Sequence, residues 1–576
     1  MNKNIRDFLP VLDWLPSYSK AQFGGDLNAG AVTAVMLVPQ GMAYAMLAGL
    51  PPELGLYASI VPLLLYAVFG SSRVLAIGPV ALVSLLVAGT LNDLGSAVSL
   101  DRLPAIAGQL ALLVGLISIV LGLFRLGFIV NFISHHVISG FTSAAALIIA
   151  LSQLKHLMGV DIPRTHNIFL ILSKAFENLA SVNLASLAIG IGGIAGLLFF
   201  KNVLGGVLGK MGLVGPMRDV LTRAGPLVVV AVSTVVVFVW GLDAGSGVRI
   251  VGTIPGGLPQ VTVPAFDPDL LMALLPSAFL ISFVGFVESV SVAKVLASRR
   301  RQKVGPNQEL VGIGVANIGA ALSGGFPVTG GFSRSSVNFE AGANTPLASV
   351  ITALLVALTV VFLTPLFYYL PKAVLASIIM VAVLTLVDFK TLKGSWNYSK
   401  SDAFSLLGTF AAVLAFGVEM GLAIGVGIAV AFYLWRTSHP QVAIIGRVPG
   451  TEHFRNYLRH TVLRSREVSA ARIDESLFFA NATWLEDWAL SFVADNPDSK
   501  HLVLNCAATN FIDGSALEVL ERMDEGLMHA GVTLHLAEIK GPVMDRLKIS
   551  GFIDAFGLHR FHLSTHEAMT KLGYPI

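Results

Sequence analysis

The chain has 576 residues, 55% of them hydrophobic and only 13% charged, with a mean hydropathy of +0.76. Soluble domains carry about 25% charged residues, so an integral membrane protein in contact with a lipid bilayer is expected. The net charge of +3 comes from short basic clusters between apolar runs, which argues against a nucleic-acid partner. The single cysteine, Cys506, rules out an intrachain disulfide and a cysteine-rich metal cluster.

The first 28 residues contain no apolar core followed by a small-residue cleavage site, so residues 1–28 read as a cytosolic segment and not as a cleaved signal peptide. Apolar segments able to cross or enter a bilayer, which takes about 20 residues for a full span, then recur through residues 29–436. They lie near 29–48, 54–70, 76–90, 104–124, 127–153, 183–201, 224–241, 270–297, 308–323, 332–345, 347–370, 373–389, 403–418 and 420–435, about fourteen in all. With both ends inside, the inner loops receive Arg73, Arg125, Lys201, Lys210, Arg218, Arg223, the run from Arg299 to Lys303, and Lys390, Lys393 and Lys400. The outer loops hold fewer basic residues: Arg102, Lys155, Arg164, Lys174, Arg249 and Lys372. This bias predicts an even number of spans with both termini cytoplasmic.

In the first span, Gln40 and Tyr44 are four residues apart on one helix face, next to the helix-weakening Pro39. They suit a polar binding face, with hydrogen bonding between spans as the alternative. The third segment, AIGPVALVSLLVAG over 76–89, is short and has Gly78-Pro79 at its start. The tenth, GGFSRSSVNFEAG over 330–342, is also short, with Gly330-Gly331 at its start and Pro327 just before. Both hold third place in a set of seven spans. Short, Gly/Pro-broken segments at matching positions are the signature of an inverted repeat whose half-helices meet near the bilayer midplane. A half-helix ending there directs unpaired NH groups and about +0.5 of a charge beyond its N-terminus, so two facing N-termini make an anion site.

Between these breaks, His135 and His136 in NFISHHVISGF have no Cys or carboxylate at ligand spacing, and they read as interfacial or packing residues; no metal and no cofactor are expected. Glu288, in LISFVGFVESVSVAKVLASRR, lies within an apolar run. Such surroundings penalise the charged form of a carboxyl, which makes Glu288 a candidate carrier of a coupled proton. Arg334 sits at bilayer depth near the start of the second half-helix, where an arginine needs a partner. Added to two helix N-termini it brings the local charge to about +2, a match for a divalent oxyanion. The alternative is a structural role, pairing with Glu288 or capping backbone carbonyls.

Beyond residue 436 the composition becomes mixed and charged, and strand-like runs alternate with helical ones. HLVLNCA and VTLHLAEI read as strands, and GSALEVLERMDEGLMHA between them as a helix with Leu517, Leu520, Leu527 and Met528 on its buried stripe. Residues 437–576 are therefore expected to form a linker and a small cytosolic α/β domain.

The stretch 26–73, DLNAGAVTAVMLVPQGMAYAMLAGLPPELGLYASIVPLLLYAVFGSSR, resembles the signature of the sulfate permease family of anion transporters, including the PELGLYAS run and the closing GSSR. GGFSRSSVNFEAGANTPLAS is similar to that family's tenth span, and HPQVAIIGRVPGTEHFRN to the start of its C-terminal STAS domain. The resemblance implies fourteen spans in a seven-plus-seven inverted repeat, a core moving against a gate, a STAS domain and a homodimer. It implies substrate contacts at Gln40 and Tyr44, at Val80 and Ala81 through backbone NH, and at Phe332, Ser333 and Arg334. Glu288 stands where proton-coupled sulfate symporters of the family carry an acid, whereas sodium-coupled bicarbonate members tend to have aspartate. Related STAS domains carry a phosphorylatable serine directly after an aspartate; here Gly514 separates Asp513 from Ser515, which argues against such a switch.

The expected function is proton-coupled sulfate transport in a bacterial inner membrane by an elevator-like mechanism. Bicarbonate, chloride and C4-dicarboxylates are the alternative substrates, and sodium is the less favoured coupling ion. A membrane-anchored STAS regulatory module is the remote alternative, since a plain anchor does not need Arg334, Glu288 and two broken segments. No P-loop or nucleophile elbow is present, so no enzyme is expected.

Overall fold

The computed structural model describes residues 8–94, 99–132, 134–163, 168–212, 216–262 and 267–573. Arg164, assigned above to an outer loop, lies outside the described residues, as does the start of the N-terminal segment. The chain divides into two compact units, one ending at Ile428 and the other beginning at Ala429.

Each of the fourteen predicted segments coincides with helical structure, the last of them, Val418–Ser438, continuing past Ile428. Among the described residues, eight helical stretches are long and apolar enough to cross a membrane, from Lys20–Leu47 to Val418–Ser438, and shorter apolar helices cover Ala81–Asp93, Gly225–Trp240 and Leu347–Phe362. Proline opens several of them, as at Pro268 and Pro306, where the missing NH is one the helix leaves unpaired anyway.

Three segments differ in detail. The second is two helices, Pro52–Tyr57 and Val61–Phe69. The fifth begins as a 3-10 turn, Leu126–Phe132, before the helix His135–Ser152, which Ser134 caps by accepting from His136 N at 3.3 Å. The tenth is shorter than expected, because its helix, Phe332–Glu340, stops before Gly342 at φ 100°. The turn that follows is tied down by buried Asp26, which accepts from Asn344 N at 2.6 Å, Thr345 N at 3.0 Å and Thr345 Oγ1 at 2.6 Å.

The helices pack in two groups. Lys20–Leu47, Val61–Phe69, Ala81–Asp93, Leu103–Leu123, Pro268–Arg299, Pro306–Leu322, Phe332–Glu340 and Leu347–Phe362 form one, and His135–Ser152, Leu184–Phe199, Gly225–Trp240, Lys372–Val383 and Lys400–Phe416 form the other. In the first group, small residues bring backbones into contact. A Cβ on Gly115 would lie 2.8 Å from Gly314 O, and one on Gly314 would lie 2.7 Å from Gly115 O. Such close crossings supply van der Waals packing where lipid removes most of the hydrophobic drive between helices.

The second unit carries a six-stranded sheet: β3 (Val442–Arg447), β4 (Phe454–Asn456), β5 (Val468–Ile473), β6 (His501–Asn505), β7 (Thr533–Ala537) and β8 (Phe561–His562). Its order is β4-β3-β5-β6-β7-β8, with β3 antiparallel to both neighbours and β5 to β8 parallel. The first unit holds two short strands, β1 (Ile77–Gly78) and β2 (Thr329–Gly330). Helices Ala482–Asp495, Gly514–His529 and Gly541–Ile549 cover one face around Leu485, Leu520, Leu527 and Val543. The expected stripe on Gly514–His529 needs one correction: Met528 is 52% exposed, and the buried line runs through Ala516, Val519, Leu520, Met523 and Leu527. Met528 falls just past the face that the helical period turns toward the sheet.

Candidate anion-binding site

Two short strands cross where the broken segments meet. β1 (Ile77–Gly78) pairs antiparallel with β2 (Thr329–Gly330), Ile77 opposite Gly330 and Gly78 opposite Thr329. Each strand leads into a helix, Ala81–Asp93 after Val80 and Phe332–Glu340 after Gly331, and neither helix start has a side-chain cap. Two extended stretches thus arrive from opposite ends of the bundle, join for two residues, and launch helices that run back apart.

The crossing is held by polar side chains buried in the bundle. Asn317 donates to Val328 O and accepts from Val328 N, both at 2.9 Å. Thr329 Oγ1 donates to Gly285 O at 2.7 Å, and Ser289 Oγ accepts from Gly330 N at 2.8 Å. From the second half-helix, Ser335 Oγ accepts from Ala76 N at 2.9 Å and Asn338 Nδ2 donates to Val74 O at 2.9 Å. Backbone groups that a strand pair of two residues leaves open are therefore paired.

Arg334 is 2% exposed and reaches across the break. Nη1 donates to Pro79 O at 2.9 Å and Nη2 to Ala76 O at 3.4 Å, while Nε has no partner. It caps backbone carbonyls, as the structural alternative anticipated, and forms no salt bridge with Glu288. Its charge is thereby pinned beside both helix starts. Gly78, at φ +148°, is required on two grounds: L side chains rarely adopt that conformation, and a Cβ there would sit 3.1 Å from Arg334 Nη2.

A cavity of about 160 Å³ opens at this crossing. Its walls include Gln40, Tyr44, Val80, Ala81, Phe332, Ser333, Arg334 and Glu288 together. Every residue singled out in the sequence as a site candidate thus lines one cavity. Glu288 is half-buried, and its Oε2 has no hydrogen-bond partner. Gln40 and Tyr44 are buried, whereas Phe332 is 52% exposed. His135 and His136 are not among the lining residues.

Sequence reasoning missed the opposite wall, Ala382, Val383, Thr385 and Leu386 at the end of Lys372–Val383. That stretch reads as an ordinary apolar span and carries no distinguishing signal. The positioning residues Ser289, Asn317 and Thr329 were missed as well, although Asn317 in an apolar run was a visible exception. Another buried carboxylate also escaped notice. Glu309 is fully buried and accepts from Tyr66 OH at 2.6 Å, Ser71 N at 2.8 Å, Ser71 Oγ at 2.6 Å and Ser72 N at 2.8 Å.

Residues 23–409 match the sulfate permease family and residues 461–568 the STAS domain. The chain is 36% identical over 578 residues to "Probable sulfate transporter 4.2" of Arabidopsis thaliana, covering 98% of this chain and 83% of that relative. It is 32% identical to "High affinity sulfate transporter 2" of Stylosanthes hamata, covering 99% and 87%. Among solved structures, murine Solute Carrier 26 family member A9, an anion transporter in the inward-facing state, superposes with a TM-score of 0.88 at 25% identity over 98% of this chain and 94% of that one. The transmembrane domain of a cyanobacterium bicarbonate transporter, BicA, gives 0.60 at 24% identity over 71% and 99%, a likeness of fold. With its helical bundle, its paired broken helices and its C-terminal sheet domain, the chain belongs to the sulfate permease family.

Proposed function

We propose that this protein is a secondary active transporter that takes up sulfate together with protons, the anion binding between the starts of Ala81–Asp93 and Phe332–Glu340. The observation that carries the reading is the single cavity lined by both uncapped helix starts, Arg334 and Glu288. NH groups at Ala81 and at Phe332 and Ser333 donate to the oxyanion, and the two helix dipoles and Arg334 supply about +2 of local charge. Arg334 acts mainly through its field, since two of its nitrogens already serve carbonyls. Gln40 and Tyr44 offer donors from the facing helix.

Glu288 couples the two fluxes. Protonated, it leaves the site positive and ready for a divalent anion; ionised, it cancels one charge and weakens binding. Anion and proton then enter and leave together. The first helix group carries both broken segments and slides against the second, whose Ala382–Leu386 wall lines the cavity, in an elevator-like exchange of access. The basic clusters support cytoplasmic termini. The relatives reported above come from plants, so a bacterial inner membrane stays part of the proposal, as does the homodimer.

Relatives named as sulfate transporters favour sulfate. Bicarbonate, chloride or a C4-dicarboxylate is the second reading, favoured by the likeness to a bicarbonate transporter's fold and by a site whose helix termini attract any of these anions. The test is uptake of labelled sulfate by proteoliposomes with and without an inward proton gradient, with bicarbonate, chloride and succinate as competitors. Gradient-driven accumulation of sulfate is expected. Uptake of bicarbonate or succinate without sulfate flux overturns the substrate and keeps the site.

A further inference from the structure

A second cavity, of about 600 Å³, lies at the basic end of the first unit, away from the crossing. Among the described residues its lining includes Arg73, Arg125 and Lys303, with Asp13 as the single acidic side chain. Among the described residues, none of these three cations has an ion-pair or hydrogen-bond partner for its side chain. Three unpaired cations against one carboxylate leave an excess of about two positive charges in one recess, and the transport site uses none of them.

The recess is built as well as charged. Helix Pro306–Leu322 begins there, and its N-cap, Gly305, offers no capping side chain, so the positive end of a 17-residue helix opens into the cavity. Gly305 N donates to Ser71 Oγ at 3.1 Å, Gln308 Nε2 to Phe69 O at 2.7 Å, and Gly127 N to Asn307 Oδ1 at 2.8 Å. Glu309, buried behind the wall, holds Ser71 and Ser72 through three hydrogen bonds and so fixes the backbone beside Arg73. Arg125 stands just past the end of Leu103–Leu123, and its side chain lines the cavity.

We infer that this recess is a second anion site, one that binds a phosphate-bearing ligand through Arg73, Arg125, Lys303 and the start of helix Pro306–Leu322. Basic pockets at the cytoplasmic ends of membrane helices suit the phosphodiester of an anionic lipid, and the same donors suit a soluble phosphate. The full-length protein in neutral detergent is titrated with dioctanoyl phosphatidylglycerol, with dioctanoyl phosphatidylcholine as the zwitterionic control, and with inorganic phosphate. The variant R73Q/R125Q/K303Q is compared with K390Q/K393Q/K400Q, which removes as much charge from a basic cluster that does not line the recess. Each cation removed from the recess is expected to weaken binding about fivefold, and all three about a hundredfold, while the control variant matches the parent. Tighter phosphatidylglycerol binding identifies the lipid as the ligand; phosphate binding with no added gain from the lipid identifies a soluble one. Equal affinities of the two variants, or phosphatidylcholine binding as tightly as phosphatidylglycerol with no phosphate binding, overturns the inference. Should the triple variant fail to fold, the single variants Arg125→Gln and Lys303→Gln, both at exposed positions, each carry the fivefold step.

Discussion

Arg334 combines two jobs that substitution can separate. Arg334→Ala removes the positive charge beside the helix starts and frees the carbonyls of Pro79 and Ala76. Binding of labelled sulfate to the purified variant is expected to be lost, and unchanged affinity rejects the site. Arg334→Lys keeps a charge but not a planar donor pair spanning two carbonyls, so weakened binding is expected to remain. Glu288→Gln keeps the neutral form in place permanently. Sulfate should still bind, and uptake should no longer respond to an imposed proton gradient; a variant whose uptake still rises with that gradient excludes Glu288 as the carrier. These residues were legible in the sequence because a charge inside an apolar run is an expensive exception. What Arg334 touches was not legible: its partners lie more than 250 positions away.

At the scale of elements, the broken helices depend on side chains that replace missing backbone partners. Asn317→Ala leaves Val328 N and Val328 O unpaired in the bundle, each at about 1–3 kcal/mol. The melting temperature in detergent should fall and sulfate uptake with it; a variant with the parent's melting temperature shows that the clamp is dispensable. Glu309→Ala likewise strands the hydroxyl of Tyr66 and the NH groups of Ser71 and Ser72, and a drop at least as large is expected by the same measurement. The fourteen segments and the two glycine-proline breaks were legible because span length and helix breaking are local properties. Strands of two residues paired across the whole bundle were not. Such a pair has no periodicity to read, and each strand exists only because the other meets it.

For the molecule as a whole, the C-terminal domain carries a titratable feature independent of transport. His501, His535 and His562 stand side by side on β6, β7 and β8, with ring nitrogens 3.2 Å apart in the first pair and 3.1 Å in the second. Burial first, and the neighbouring His501, His562, Arg560 and His559 after it, push His535 down from 6.5 to about 4. Burial lowers His501 and His562 as well. A histidine whose folded pKa lies below its unfolded value binds fewer protons in the folded state, so stability is complete above the unfolded pKa and is lost as pH falls toward the folded one. Residues 437–576, which carry the sheet and its own core, should therefore melt at progressively lower temperature as pH drops from about 6.5 to about 4. His535→Gln should flatten that profile. An equally steep acid loss in the variant removes the histidine row as its cause.

The amino-acid order alone establishes the class of protein, the run of apolar segments, the places where two of them break, the change to a mixed α/β domain and the identity of the polar residues that a membrane interior makes exceptional. All of these follow from composition and local pattern, read over windows shorter than one span. It takes the folded bundle to show that Gln40, Tyr44, Glu288 and Arg334 share one cavity, that Arg334 caps the opposite break and forms no ion pair with Glu288, and that Thr385 and Leu386 close the far wall. The bundle also decides which carboxylate is structural: Glu309 and Glu288 both occur in apolar runs, but Glu309 meets four donors and Glu288 Oε2 meets none. The reason is physical. A buried polar atom's role depends on what the fold brings within about 3 Å of it, and those partners come from elements far apart in the chain.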